Sequence, residues 1–409
     1  MNPTQPESTF LESQLRGALI KEFETELEDI LSWWQLQMVD MENGGFYGRI
    51  DGHNQLHAEA EKSIILNSRI LWTFSAATLQ KSNYGHKKMA ERAFQYLLKH
   101  FVDPLEGGVF WTLNHQGEPV STKKQIYAQA FTIYALSEYY LLTQNVQALD
   151  TAMEIFWLIE KYSFDKKTNG YLEAFSREWQ PLADLRLSDK DTNAAKTMNT
   201  HLHLLEAYTN LYRAAPSEAV RIALHKLIEC FLEKFIPPET YHLKLFFDEN
   251  WVLVPSQVSY GHDIECSWLL WEAAEILGEP VVKKRVDQVA INMARVALQE
   301  GLDHNDGLNY ECSPNGHIDR DKHWWPQAEA VVGFYNAWQL SGEGDFQKTA
   351  IKSWSFIKKH LKDQQGGEWF WRVDEHENPV LTEDKAGPWK APYHNSRMCL
   401  EMIKRLDNN

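Results

Sequence analysis

The sequence predicts an all-α chain folded as an (α/α)6 barrel, with six inner and six outer helices and short hairpin loops at one end. Three observations predict it. Loops of glycine-and-aromatic composition recur at a period of roughly sixty residues. Paired helical patterns fill the intervals. Those patterns alternate between helices with one polar face and helices with none. An open solenoid of the same units would leave one face of every layer wet, so the apolar character of each second helix favours a closed ring.

The loops read Asn43-Gly44-Gly45-Phe46-Tyr47-Gly48, Glu106-Gly107-Gly108-Val109-Phe110-Trp111 and Asn169-Gly170-Tyr171, then Asn305-Asp306-Gly307-Leu308-Asn309-Tyr310 and Gln365-Gly366-Gly367-Glu368-Trp369-Phe370-Trp371. Gly45 to Gly108 is 63 residues, Gly108 to Gly170 is 62, and Gly307 to Gly367 is 60. The interval from Gly170 to Gly307 is 137, two units, and the aromatic stretch 243–254 fills its middle without glycines. Second turns follow several loops, as in Asn114-His115-Gln116-Gly117 and Glu375-His376-Glu377-Asn378. Such turns between short aromatic runs are hairpin signals.

Twelve helices are predicted, near 9–39, 58–81, 85–101, 124–143, 146–162, 193–213, 217–235, 260–277, 281–300, 325–341, 345–362 and 389–407. The first sets Leu15, Leu19, Phe23, Leu27 and Ile30 among acidic residues, and the seventh opposes Ile222, Leu224, Leu227, Ile228, Phe231 and Leu232 to Arg221, Lys226, Glu229 and Glu233. These belong outside. The runs Ile64 to Phe74, Ala128 to Leu136, Trp268 to Ala274 and Ala328 to Tyr335 lack a polar face and belong inside. No Pro/Ser-rich linker interrupts the chain, so a single domain over 1–409 is expected, with 1–9 a flexible tail.

Composition narrows the function. Hydrophobic residues make up 44% and aromatic residues 12% of the 409, ample for a large core. A formal net charge of -16 argues against a non-specific nucleic-acid role, which needs a basic surface. Sixteen tryptophans suit cores and sugar-binding faces alike. Cys230, Cys266, Cys312 and Cys399 show no metal or redox spacing and read as reduced thiols. The first nine residues carry no secretory signal and no apolar run is long enough to span a bilayer, so a cytoplasmic protein is expected. A monomer is the expected state, with a dimer as the alternative.

Polar residues stand out in the even-numbered helices: Arg69, Tyr127 and Gln129, His203 and Glu206, His262 and Glu265, Gln327 and Glu329, and His394 and Arg397. Gly261 is expected to break the chain just before its helix. His203 to His262 is 59 residues and His262 to His394 is 132, two units of 66. A closed barrel therefore brings three histidines to one cavity. A lone inner-helix histidine is usually a satisfied core residue; three at one phase of a repeat are not explained that way. No His-Glu-x-x-His pattern occurs, and Glu-x-x-His occurs once, at Glu239 to His242 between helices, not on two facing helices, so no metal is expected. A glycosidase would use a carboxylate pair, drawn from Glu265, Glu329, Asp189 and Asp191, and has no need of three histidines.

Histidine gives or takes a proton near neutrality. An open-chain sugar aldehyde has an acidic hydrogen on carbon 2; its removal gives an enediolate, and a proton returned to the opposite face inverts that carbon. The reaction needs a base, an acid, a means of ring opening and a positive group for the enediolate oxygens. Three histidines and Arg69 match that inventory, and Trp325 and Trp389 are candidates to stack on sugar faces.

The segments 198–208, Gly261-His262-Asp263-Ile264-Glu265, 322–330 and Trp389-Lys390-Ala391-Pro392-Tyr393-His394-Asn395-Ser396-Arg397 resemble those of the N-acylglucosamine 2-epimerase superfamily and, more narrowly, its cellobiose 2-epimerases. The resemblance runs from about Phe23 to the C-terminus, in order. It implies an (α/α)6 barrel, no cofactor, and interconversion of the reducing-end glucose of β-1,4 disaccharides such as cellobiose and lactose with mannose. By position, His262 and His394 resemble the acid/base pair and His203 a third catalytic histidine tied to ring opening. Arg69 resembles the substrate-clamping arginine, and Glu265 a carboxylate that either supports the catalytic groups from behind or contacts the ring. Trp325 and Trp389 resemble the stacking aromatics, and Tyr127, Asn199 and Glu329 fit further substrate contacts. His201 lies about 200° around the helix from His203 and is expected to be structural. A monosaccharide or N-acylglucosamine epimerase, an aldose–ketose isomerase, and a non-catalytic carbohydrate-binding toroid remain the alternatives.

Overall fold

Two inner-helix starts are set by side-chain capping. Ser63 accepts a hydrogen bond from Leu66 N at 3.1 Å, and Thr197 accepts one from Thr200 N at 3.2 Å, so α2 begins at Ile64 and α6 at Met198. In the computed structural model, which describes residues 5–188 and 191–407 (side chains from 15 onward), the helices are α1 (Gln5–Gln37), α2 (Ile64–Gln80), α3 (Tyr84–Tyr96), α4 (Ile126–Thr143), α5 (Val146–Tyr162), α6 (Met198–Ala214), α7 (Glu218–Cys230), α8 (Tyr260–Leu277), α9 (Pro280–Val296), α10 (Trp324–Ser341), α11 (Gly344–Phe356) and α12 (Tyr393–Asp407).

All twelve expected helices are present, with shifted ends. The expected starts at 58, 193 and 389 are too early. Residues 62–63 and 196–197 form two-residue strands instead, and Ala391 precedes a proline, which disfavours helical backbone there. The expected tail 1–9 needs correction: residues 5–9 already belong to α1, and 1–4 lie outside the described residues. A π turn closes α3, α7, α9 and α11, at 97–101, 231–235, 297–301 and 357–361.

The inner ring closes. Helices α2, α4, α6, α8, α10 and α12 each pack on the next, and α12 returns to α2. Each carries its outer partner, α3 on α2 through α11 on α10, with α1 on α12. Inner helices are buried on nearly every side; in α4 every residue from Ile126 to Tyr139 is enclosed.

The loops are stitched in the same circular order. The strand before each inner helix pairs with the hairpin of the following unit: Lys62–Ser63 with Thr112–Leu113, Lys124–Gln125 with Ala174–Phe175, Lys196–Thr197 with Phe246–Phe247, Val258–Ser259 with Glu311–Cys312, and Lys322–His323 with Arg372–Val373. The ring is completed by Ala386 before α12, bridged to Ile50 in the first loop. Five loops share a buried ion pair, Lys62–Asp40, Lys124–Asp103, Lys196–Asp165, Lys322–Asp303 and Lys385–Asp363. In each, the aspartate also accepts backbone N–H groups of its own turn. The fourth loop lacks both the pair and the glycines. Its left-handed positions are taken by Tyr241 (φ +57°) and Trp251 (φ +65°), and Asp263 on α8 holds it instead by accepting Leu243 N at 2.8 Å.

Candidate active site

The site is the floor of the ring on the hairpin side, and each inner helix brings its contribution from the first turns. From α2, Arg69 donates to the Tyr127 hydroxyl at 2.9 Å and to the Trp389 carbonyl at 2.8 Å. Its guanidinium lies 4.4 Å from the Phe131 ring centre and its Nε is buried without a partner. From α4, Tyr127 meets His203 edge-on at 4.9 Å. From α6 come Asn199, His203 and Glu206; Asn199 sits one turn before His203, with Oδ1 buried and unpartnered. From α8 come His262 and Glu265, from α10 Trp325 and Glu329, and from α12 His394 and Arg397. All ten predicted site residues thus lie on the inner helices or, for Trp389, on the segment entering α12.

The three histidines share one feature. Each has Nδ1 engaged: His203 with Glu206 at 3.0 Å, His262 with the Ser259 hydroxyl at 2.8 Å, and His394 with Glu329 at 2.7 Å. Nε2 is then the nitrogen left for a substrate, and its direction is fixed by the bond behind it. The Trp325 ring contacts both His262 and His394, at 4.7 and 5.8 Å. Burial lowers the pKa of all three. That of His262 is pushed down to about 3, with the neighbouring His203 adding to the effect, and burial holds His394 well below the usual imidazole range, helped by Arg69, Arg397 and His203. All three are neutral near pH 7 and able to act as bases.

Beneath them, Arg397 joins three carboxylates. It donates to Glu265 at 2.7 Å and Glu329 at 2.6 Å, and to Glu206 and the Tyr393 hydroxyl; Tyr393 in turn donates to Glu206. Trp268 Nε1 donates to the second oxygen of Glu329 at 2.9 Å. Both oxygens of Glu329 are therefore engaged by protein groups beside His394, and Glu265 is held through Oε1. Glu265, Glu329 and His394 each offer an atom within 4.8 Å of the others, a spacing compatible with a cation. The guanidinium of Arg397 already donates to the carboxylate oxygens that would form such a site, so the positive charge there belongs to the protein.

His201 faces the other way. It contacts the Thr197 carbonyl through Nδ1 at 2.7 Å, and Nε2 accepts Tyr171 N at 2.9 Å, which ties the third loop to α6. Gln129 and Gln327 do the same for Val109 and Leu308, so these two unexpected polar residues are loop clamps. Burial pushes the pKa of His201 down to about 3 from 6.5. Between those values the unfolded chain binds a proton that the folded chain excludes. Its stabilising contribution is complete above pH 6.5 and is lost as pH falls towards 3, at about 1.4 kcal/mol per pH unit. His201→Gln keeps a donor and an acceptor without titrating. Urea unfolding should show the variant gaining on wild type by that slope below pH 6.5; parallel curves would refute the assignment.

Gly261 does not break the chain as expected, for it is the second residue of α8. It is required because a Cβ there would come within 2.6 Å of the Trp325 indole. Asp191 is hydrogen-bonded to Ser188, and Asp189 lies outside the described residues. Several site residues were not singled out from the sequence. Ser259 and Tyr393 orient His262 and Glu206. Trp111 lies 5.9 Å from Trp389, and Tyr310 stacks on His323 at 3.8 Å. The signal was available for Trp111 and Tyr310, since each follows a turn at the same place in its hairpin.

Residues 45–397 match the family model of N-acylglucosamine 2-epimerase (GlcNAc 2-epimerase). The chain belongs to that family. It is 49% identical over 390 residues to a cellobiose 2-epimerase of Bacteroides fragilis, covering 95% of this chain and 98% of that one. The solved cellobiose 2-epimerase of Bacillus thermoamylovorans superposes with a TM-score of 0.92 at 40% identity, covering 95% of this chain and all of that one. A D-mannose isomerase structure superposes at 0.83 with 20% identity, a likeness of fold alone. No helix among the described residues is long and apolar enough to cross a membrane.

Proposed function

We propose that this chain is a cofactor-independent 2-epimerase of β-1,4-linked disaccharides, interconverting reducing-end glucose and mannose in cellobiose, lactose and similar sugars. The observation that carries it is the pair His262 and His394, both against the Trp325 ring with each Nδ1 engaged. The similarity to cellobiose 2-epimerases over nearly the whole length supports the substrate class.

The open-chain sugar lies with carbon 2 between the two Nε2 atoms. One histidine removes the carbon 2 hydrogen, and the other returns a proton to the opposite face. The roles exchange with the epimer, because each epimer presents its hydrogen to a different histidine. Arg69 balances charge developing on the enediolate oxygens, and His203, oriented by Glu206, moves the proton that opens and closes the ring. Trp325 and Trp389 supply apolar faces for the sugar rings. The chain works as one catalytic domain. The ring closes within one chain, which supports a monomer as the acting unit, and four free cysteines favour a reducing compartment.

Turnover in heavy water tests the chemistry. Cellobiose should yield glucosyl-mannose carrying deuterium at carbon 2, read by NMR; product formed without solvent label would exclude the enediolate. Label at carbon 1 of a keto sugar would instead identify an aldose–ketose isomerase.

A further inference from the structure

A proton inventory of the site raises a question the two histidines do not answer. Both are held neutral by burial, yet the one that acts as acid must give a proton to carbon 2. The charges beneath them locate a source. Glu206, Glu265 and Glu329 are three carboxylates on one guanidinium, Arg397. Arg69, held by Tyr127 and Trp389 against the same histidines, adds a second positive charge without touching the carboxylates, so three minus two leaves one negative charge in this buried region. An uncompensated buried charge is costly, and one bound proton removes it.

Geometry selects its place. Glu206 is the best supplied of the three, with Arg397, Tyr393 and His203 all on it, and its pKa is lowered to about 2. Glu265 and Glu329 share one Arg397 nitrogen and face each other across it. His394 Nδ1 lies 2.7 Å from Glu329 Oε1 and 3.9 Å from Glu265 Oε1. Burial and the charge of Glu329 push the Glu265 carboxyl up to about 8, and burial raises Glu329 as well. The other titratable groups against the cluster are His203 on α6, Tyr127 and Tyr134 on α4 and Tyr393 on α12; burial raises the three tyrosine hydroxyls, keeping them protonated.

We propose that Glu265 and Glu329 together store the proton that His394 delivers to carbon 2, with His394 as the relay. This rests on the epimerase reading above. When His262 has taken the carbon 2 hydrogen, His394 Nε2–H gives its proton to the opposite face of the enediolate. Its Nδ1 receives the carboxyl proton in the same step. The N–H bond at Nε2 breaks, the C–H bond forms, and the carboxyl becomes a carboxylate while His394 stays neutral with its hydrogen moved to Nδ1. The stored proton has in effect passed to His262, now an imidazolium. That state is the one required to convert the other epimer: His394 Nε2 is free to accept, Nδ1–H returns its proton to the carboxylate, and His262 donates. Glu265 and Glu329 are thus positioning residues that set where the single extra proton rests.

Infrared spectroscopy of the sugar-free protein at neutral pH tests this. The wild type should show a protonated-carboxyl C=O band, shifted in heavy water, that is absent from Glu265→Gln. Glu329→Gln should lose the same band, because the remaining glutamate then faces Arg397 without its carboxyl partner. Glu173, pushed up to about 8 by burial in the third loop, contributes a separate band, so wild type minus variant is the quantity read. Turnover should fall by ~10², the lower end of the range for lost acid–base catalysis, with KM little changed. Two variants keep the test open if one does not fold. Identical carboxyl spectra in wild type and either folded variant would overturn the proposal even if epimerisation is observed. Conversely, a carboxyl band lost in both variants with no epimerisation of any sugar would refute the epimerase reading while leaving the stored proton in place.

Discussion

His394→Ala and His262→Ala should each lower kcat/KM for epimerisation by ~10²–10⁴, the range for loss of a general acid or base. The more telling outcome is exchange without inversion. With one histidine left, the variant should still exchange the carbon 2 hydrogen of the epimer that presents it to that histidine. It should not exchange the hydrogen of the other epimer, and neither epimer should convert. NMR in heavy water on glucosyl-glucose and glucosyl-mannose separately distinguishes the cases, and His262→Ala and His394→Ala should label opposite sugars. Wild-type turnover in either variant would remove that residue from the chemistry. Exchange of both epimers by one variant would replace the two-histidine reading with a single mobile base.

Arg397→Met should be the most damaging substitution for stability. It strips the only guanidinium from Glu206, Glu265 and Glu329, all buried, while filling most of the volume. Removing one partner from a buried ion pair costs about 3–5 kcal/mol, because a charge is left without compensation. The sign of the pH dependence follows from the same cause. Without Arg397 the carboxyls titrate higher in the folded chain than in the unfolded one, so the folded state binds more protons and gains stability as pH falls. Urea unfolding should show the deficit largest at pH 7 and smaller at pH 5. A deficit below about 1 kcal/mol would mean that the cluster already carries protons enough to dispense with the cation.

Helix order was readable because amphipathicity is local. Whether a helix has one polar face or none is a property of eighteen consecutive residues, and that alternation predicted both the inner ring and the outer one. Glycine-rich turns were readable for the same reason, since a left-handed position such as Gly45 or Gly108 favours glycine on its own backbone geometry. The fourth loop shows the limit. Tyr241 and Trp251 adopt that geometry with side chains that disfavour it; Asp263 on α8 holds the chain just after Tyr241, the Thr168 and Asn169 carbonyls hold the Trp251 indole, and no local signal marks them.

Within the site, residue type and repeat phase picked out the histidines, Arg69 and the two tryptophans, and separated His201 from His203 by helical angle. What each group does to its neighbour was not readable. Glu265 and Glu329 were expected near the sugar, and the fold adds that both also bond one nitrogen of Arg397 beside His394. Gly261 looked like a helix breaker, and the fold uses it to admit the Trp325 ring. By itself the sequence determined the helices, their inner or outer rank and the chemical inventory, because these depend on short periods along the chain. Only closure of the ring decided the wiring. The bonds from Arg397 to Glu206 and from His394 to Glu329 span 191 and 65 residues, and such pairings exist only once α12 has packed between α10 and α2.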